Sequence, residues 1–117
     1  MPEQNDCLFC KFVSGEIRPD LVYRDDAVTA FRDINPQAPV HVLLVPNKHI
    51  ASLSDLRPPH DALVGRLLRT AADIAAQEGI GQTGYRLLSN CGRDGGQVVP
   101  HLHFHLVGGR EMGWPPG

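Results

Sequence analysis

The stretch His101-Leu102-His103-Phe104-His105-Leu106-Val107 places half of the chain's six histidines at alternate positions. Alternate side chains of an extended strand share a face, so the pattern predicts a strand over 101–107 with three imidazoles on one side. Leu102, Phe104 and Leu106 then point the other way, toward a covering helix. Imidazole titrates near neutrality, which suits nucleophilic attack or proton transfer better than an inert polar face. Two histidines at i and i+2 can also share one ion, so metal binding competes for part of the set. A glycine-rich loop, Asn90-Cys91-Gly92-Arg93-Asp94-Gly95-Gly96-Gln97, runs into this strand. Its backbone amides can approach an anion closely, phosphate above all.

The remaining pattern builds a frame around that strand. Residues 7–14 read as a short helix, with Asp6 as N-cap and Gly15 as the stop. Strands are predicted at 21–24 and 27–31, joined by a tight turn at Asp25-Asp26. Val40-His41-Val42-Leu43-Leu44-Val45, bounded by Pro39 and Pro46, is nearly all apolar and reads as a central strand covered on both faces. Leu63, Val64, Leu67, Leu68, Ala71, Ile74 and Ala75 recur at three- and four-residue steps, predicting a long helix over 59–78 that Gly79 ends. A fourth strand is expected at 85–90. The order gives an α+β fold: a five-stranded, mostly antiparallel sheet with one short and one long helix. The tail ending in Trp114-Pro115-Pro116-Gly117 cannot be helix or central strand, because proline lacks the backbone donor.

At 117 residues the chain is expected to form one domain, 1–117. A net charge of −2 without Lys/Arg runs argues against duplex nucleic acid and membrane surfaces as partners. The polar N-terminus does not read as a secretory signal, so the cytoplasm is the expected compartment. Cys7-x-x-Cys10, beside an odd third cysteine, Cys91, suggests metal or redox chemistry before a structural disulfide. No thioredoxin-like βαβ pattern surrounds the pair, which disfavours the redox use. Cys91 reads as a small bystander and His60 as a surface residue at a helix start.

In combination these motifs resemble the histidine triad (HIT) family, in particular its nucleotide-binding, HINT-like branch. The triad pattern is met in full by 101–107. The stretches 31–39, 45–50 and 94–97 and the ending 114–117 are also similar to that branch, so the likeness runs from about Cys7 to the C-terminus.

The resemblance implies a HIT-like fold and a hydrolase that binds a purine nucleoside monophosphate moiety and cleaves at its phosphorus. His103 matches the nucleophile that forms a nucleotidyl-histidine, with a backbone carbonyl of the preceding strand expected to hold it in the needed tautomer. His105 matches a proton donor beside the leaving group, and His41 a histidine supporting the triad. Asp33 matches the carboxylate on the ribose hydroxyls. Leu8, Phe9, Phe12, Phe31 and Ile34 match positions around the base, with ordinary core packing as the competing account for each and the favoured one for Phe12. Asn90, Gly96, Gln97 and the Val98 amide match the phosphate and ribose cradle. Serine is usual where this chain has Val98; the valine keeps the amide but loses a hydroxyl donor, at a cost of ~1 kcal/mol or more. Cys7, Cys10, His49 and His101 match a zinc set, with ordinary packing as the competing account, and no organic cofactor is expected. A homodimer with a continuous sheet is implied, with the tail 108–117 reaching the partner so that Trp114 helps select the leaving group. The leading activity is hydrolysis of nucleoside phosphoramidates or related nucleotidyl adducts. The alternatives are a dinucleoside polyphosphate hydrolase, or a zinc-stabilised nucleotide-binding partner protein with negligible turnover.

Overall fold

The computed structural model describes residues 6–117. Helix α1 (Leu8–Ser14) is followed by strands β1 (Leu21–Arg24), β2 (Val28–Arg32) and β3 (Val40–Pro46). Two single 3-10 turns, Leu53–Asp55 and Pro58–His60, lead into helix α2 (Asp61–Gln77), and strands β4 (Tyr85–Leu88) and β5 (Phe104–Gly108) complete the fold. The sheet order is β1-β2-β3-β5-β4, with every pair antiparallel. This is the expected α+β arrangement.

The two faces of the sheet are covered unequally. On one, Val28, Ala30, Val42, Leu44, Phe104 and Leu106 pack under Leu67, Ala71, Ile74 and Ala75 of α2, with Leu102 joining from outside the ladder. On the other, Phe31, Leu43 and Val45 meet Cys7 and Phe9 at the start of α1. A helix of seven residues is only about 10 Å long. It covers the β2–β3 side and leaves the face around His41 and His105 open, which positions the site.

Several boundaries differ from the sequence reading, each for a local reason. The N-cap of α1 is Cys7, whose Sγ accepts from the Cys10 amide at 3.4 Å, while Asp6 stays exposed. Cys7 is drawn inward because His101 Nδ1 lies 3.2 Å from its sulfur. The long helix starts at Asp61, since Pro58-Pro59 make a separate 3-10 turn in which His60 Nδ1 accepts the Arg57 amide at 2.9 Å. Strand β2 starts at Val28 because the Ala27 amide turns to Asp25 Oδ1 at 2.8 Å, closing the expected turn. Strand β4 stops at Leu88, after which Ser89 Oγ donates to the His103 carbonyl at 2.6 Å.

The largest correction concerns the triad strand, which enters the ladder only at Phe104. Residues 101–103 leave it because their hydrogen bonds go elsewhere: the Leu102 amide donates to the Ile50 carbonyl at 2.6 Å, and the His101 carbonyl is taken by the His103 ring. At the far end Gly109 holds φ +91°, and an added Cβ would lie 2.9 Å from Pro39, so the chain turns off the sheet where only glycine fits.

Candidate active site

The three triad histidines do three different things. His101 is fully buried; its Nε2–H donates to the Pro46 carbonyl at 2.9 Å, leaving Nδ1 toward the cysteines. His103 donates Nδ1–H to the His101 carbonyl at 2.7 Å, because a carbonyl can only accept. Its Nε2 therefore carries the free lone pair. His105 is set by a relay: the Gln37 amide donates to His41 Nδ1 at 3.0 Å, so His41 is protonated on Nε2, which lies 2.9 Å from His105 Nδ1. His105 Nδ1 thus accepts, and its proton sits on Nε2. Asp33 Oδ2, 3.5 Å from His41 Nε2, closes the cluster.

Burial fixes the charge states. It pushes His105 down to about 4, aided by His103 and His41, and lowers His41 as well, against the opposing pull of Asp33. Both rings are neutral near pH 7. The His103 and His105 rings stand 5.1 Å apart, centroid to centroid, so a bare nitrogen and an N–H donor sit side by side.

The predicted base-contacting residues converge on one cleft of about 260 Å³, lined by Leu8, Phe9, Phe12, Phe31, Ile34 and Leu43, with Asp33 at its rim. Phe9 packs against Phe31 with the rings tilted and their centroids 5.3 Å apart, and it meets the His103 ring edge-on at 5.0 Å, joining cleft to nucleophile. Ile34 is completely exposed, an apolar side chain with no protein to cover it. Asp33 Oδ1 accepts the Asn35 amide at 2.8 Å.

The glycine-rich loop is braced by the side chains assigned to the cradle. Asn90 Nδ2 donates to the Gly95 carbonyl at 2.7 Å. Gln97 Oε1 accepts the Gly92 amide at 3.0 Å, while its Nε2 donates to the carbonyls of Ala51 and Val99. Gly96 holds φ +79°, and Val98 is 89% exposed beside it. Gln97 thus shapes the loop with both ends of its carboxamide. Cys91 is half-buried, 3.3 Å from Ser54 Oγ, away from the triad cluster.

Cys7 Sγ, Cys10 Sγ, His49 Nδ1 and His101 Nδ1 all lie within 4.8 Å of one another. His49 Nδ1 is 3.2 Å, and His101 Nδ1 3.5 Å, from Cys10 Sγ. Two sulfurs and two imidazole nitrogens suit a closed tetrahedral metal site. The Pro46 carbonyl fixes the His101 tautomer that such a site requires. Burial and the neighbouring Cys7 raise the Cys10 thiol to about 11, so a nearby cation is what would make it a thiolate. The four residues fit the metal.

Sequence reasoning expected a carbonyl of the preceding strand to set the His103 tautomer, whereas the carbonyl of His101 does so; it missed Gln37 and the Pro46 carbonyl, because backbone groups leave no mark in residue identity.

Paired imidazoles of opposite tautomer, beside an apolar cleft on an antiparallel α+β sheet, define a hydrolase of the histidine-triad type. The chain belongs to the HIT domain family, whose model matches residues 14–112. Purine nucleoside phosphoramidase from Escherichia coli (strain K12) is 51% identical over 108 residues, spanning 92% of this chain and 91% of that protein. A 14 kDa zinc-binding protein from Brassica juncea is 48% identical over 114 residues, 96% of this chain and all of that protein. The crystal structure of a HIT family hydrolase from Legionella pneumophila Philadelphia 1 superposes with a TM-score of 0.94 at 49% identity, covering 95% of this chain and 99% of that one. The protein is a HIT-family hydrolase of the HINT-like branch.

Proposed function

We propose that this chain hydrolyses purine nucleoside phosphoramidates, or related nucleotidyl adducts, through a nucleotidyl intermediate on His103. The observation that carries the reading is the opposed protonation of His103 and His105 at a 5.1 Å ring separation. The base enters the Phe9–Phe31 cleft and Asp33 accepts from the ribose hydroxyls. His103 Nε2 attacks phosphorus, and the P–N bond breaks with its electron pair on the amine nitrogen. That nitrogen takes a proton from water. His105 is held neutral by burial, so it contributes a hydrogen bond from Nε2–H to the phosphoryl oxygen or leaving atom. Water then attacks phosphorus, releases the nucleoside monophosphate and frees His103. The likeness to a purine nucleoside phosphoramidase supports this choice of substrate.

The same reading includes zinc on Cys7, Cys10, His49 and His101, supported by the donor set and by the name of the Brassica relative. It includes one domain over 1–117 acting as a cytoplasmic homodimer, supported by exposed Tyr85 and Leu88 on edge strand β4 and by Trp114, 83% exposed. Among the described residues no helix is long and apolar enough to cross a membrane. Incubation with adenosine 5′-phosphoramidate tests the function directly. Release of AMP is expected; binding without release would replace the enzyme by a nucleotide-binding module, for which Val98 in place of a hydroxyl donor is the one favouring feature. Failure on phosphoramidates with turnover of dinucleoside polyphosphates would move the substrate class.

A further inference from the structure

Cys7 and Cys10 stand at the N-cap and the third position of α1, one helical turn apart, so their side chains are neighbours. The Cys7 sulfur accepts the Cys10 amide at 3.4 Å, and the two sulfurs lie within 4.8 Å of each other. Two thiols this close are a latent disulfide as well as half of a metal site. Their accessibility differs: Cys7 is 4% exposed, whereas Cys10 is half-buried and open to a small oxidant. Cys91, the remaining thiol, lies apart from them beside Ser54.

A bond between the sulfurs would take both away from their present partners. Cys7 Sγ is 3.2 Å from His101 Nδ1, and Cys10 Sγ is 3.2 Å from His49 Nδ1. His101 is fully buried and its Nε2–H already goes to the Pro46 carbonyl, so Nδ1 presents a lone pair that a thiol proton or a cation satisfies. A disulfide supplies neither, and a buried acceptor without a partner is costly. The effect reaches the site along two routes. The His101 carbonyl orients the His103 ring at 2.7 Å. Leu8 and Phe9, two walls of the base cleft, lie inside the ring that a Cys7–Cys10 bond closes.

We propose that Cys7 and Cys10 form a redox switch: hydrogen peroxide joins them in a disulfide, which expels the metal and loosens the base cleft until the bond is reduced. The proposal rests on the zinc reading for the metal displaced and on the cysteine geometry for the bond. The more exposed Cys10 sulfur attacks one peroxide oxygen, the O–O bond breaks, and Cys10 becomes a sulfenic acid. The departing oxygen leaves as water, with the sulfur's own proton or with one from solvent where a thiolate holds the metal. The Cys7 sulfur then attacks the Cys10 sulfur, the S–O bond breaks, and the hydroxyl leaves as water in the same way. The two sulfurs together lose two electrons, and peroxide is reduced to two waters. Neutral disulfide sulfur no longer offers the thiolates that zinc needs. A small cellular thiol reverses the bond, as for the transient disulfides of a reducing cytoplasm. The missing thioredoxin-like βαβ frame disfavours disulfide exchange on other proteins, which the switch does not require.

The test uses Cys91→Ser, which removes the third thiol and leaves the four cluster residues intact. Zinc-loaded protein is treated with hydrogen peroxide and followed by intact mass, a chromophoric zinc indicator, Tm and AMP binding. The expected result is loss of two hydrogens per chain, mapped to Cys7 and Cys10, with zinc released in step with the disulfide. Tm should fall and the Kd for AMP should rise about tenfold, and dithiothreitol with added zinc should restore both. Oxygen atoms gained at Cys10 without a disulfide, a disulfide that keeps its zinc, or AMP affinity unmoved by the bond overturns the switch. Reduced protein that holds no zinc would end the zinc reading, and reduced protein that binds no AMP the nucleotide reading. In either case the mapped bond and the fall in Tm still decide the switch.

Discussion

His103 and His105 are the same residue type two positions apart, and the backbone makes them chemical opposites. The His101 carbonyl strips Nε2 of His103 of its proton by occupying Nδ1–H, whereas His41 places a proton on Nε2 of His105. Replacing His103 by Ala should therefore abolish phosphoramidate hydrolysis while AMP affinity stays within about tenfold, or ~1.4 kcal/mol. Substantial residual turnover would remove the covalent mechanism. The buried imidazoles also predict a pH dependence of stability. His105 is held at about 4 and His41 below its ordinary value, against ~6.5 in the unfolded chain. Between those values the unfolded chain binds more protons than the folded one, so stability present above about 6.5 is lost as pH falls toward 4. Thermal unfolding followed from pH 7.5 to 4 should show that decline, with a shallower slope in His105→Gln; equal slopes would count against the assignment.

At the scale of elements, α1 ties the metal residues to the base cleft. Cys7 caps it and Cys10 lies on it, while Leu8, Phe9 and Phe12 line the cleft. A metal site absent from the unfolded chain links binding energy to folding. Protein purified without a histidine tag should carry about one zinc per chain, and chelation should lower both Tm and nucleotide affinity. Metal-free protein from zinc-rich medium, with unchanged Tm, would make the four residues ordinary packing. Chelation that lowered Tm but spared nucleotide affinity would uncouple α1 from the metal. The tail is an element without regular structure after β5: Met112 is half-buried and Arg86 holds Gly113, yet Trp114 stands in solvent. Deleting residues 111–117 should change the order of preference among leaving groups more than AMP affinity. Identical kcat/KM ratios with and without the tail would remove it from specificity.

For the whole molecule, the exposed β4 edge with Tyr85 and Leu88, next to Trp114, predicts association of two copies through that side. Sedimentation should give a dimer, and Leu88→Glu should shift it toward monomer; a monomer at working concentrations would end that reading. Much of this molecule was legible before folding was considered. Period-2 alternation marked the histidine face, period-3.6 apolar spacing marked α2, and the near-continuous apolar run marked β3, because each depends only on side-chain direction along a regular backbone. The same alternation misplaced the start of β5, since ladder membership depends on where the amides and carbonyls of residues 101–103 find partners, and those lie on Ile50 and on a side chain. Residue types alone marked which histidines could react. Which nitrogen of each carries the proton was decided by Gln37, by two carbonyls and by burial, and the placing of Leu88 beside His105 by the register of β4 on β5. Identity and spacing travel with the chain, whereas hydrogen-bond partners and dielectric surroundings exist only after distant segments have met.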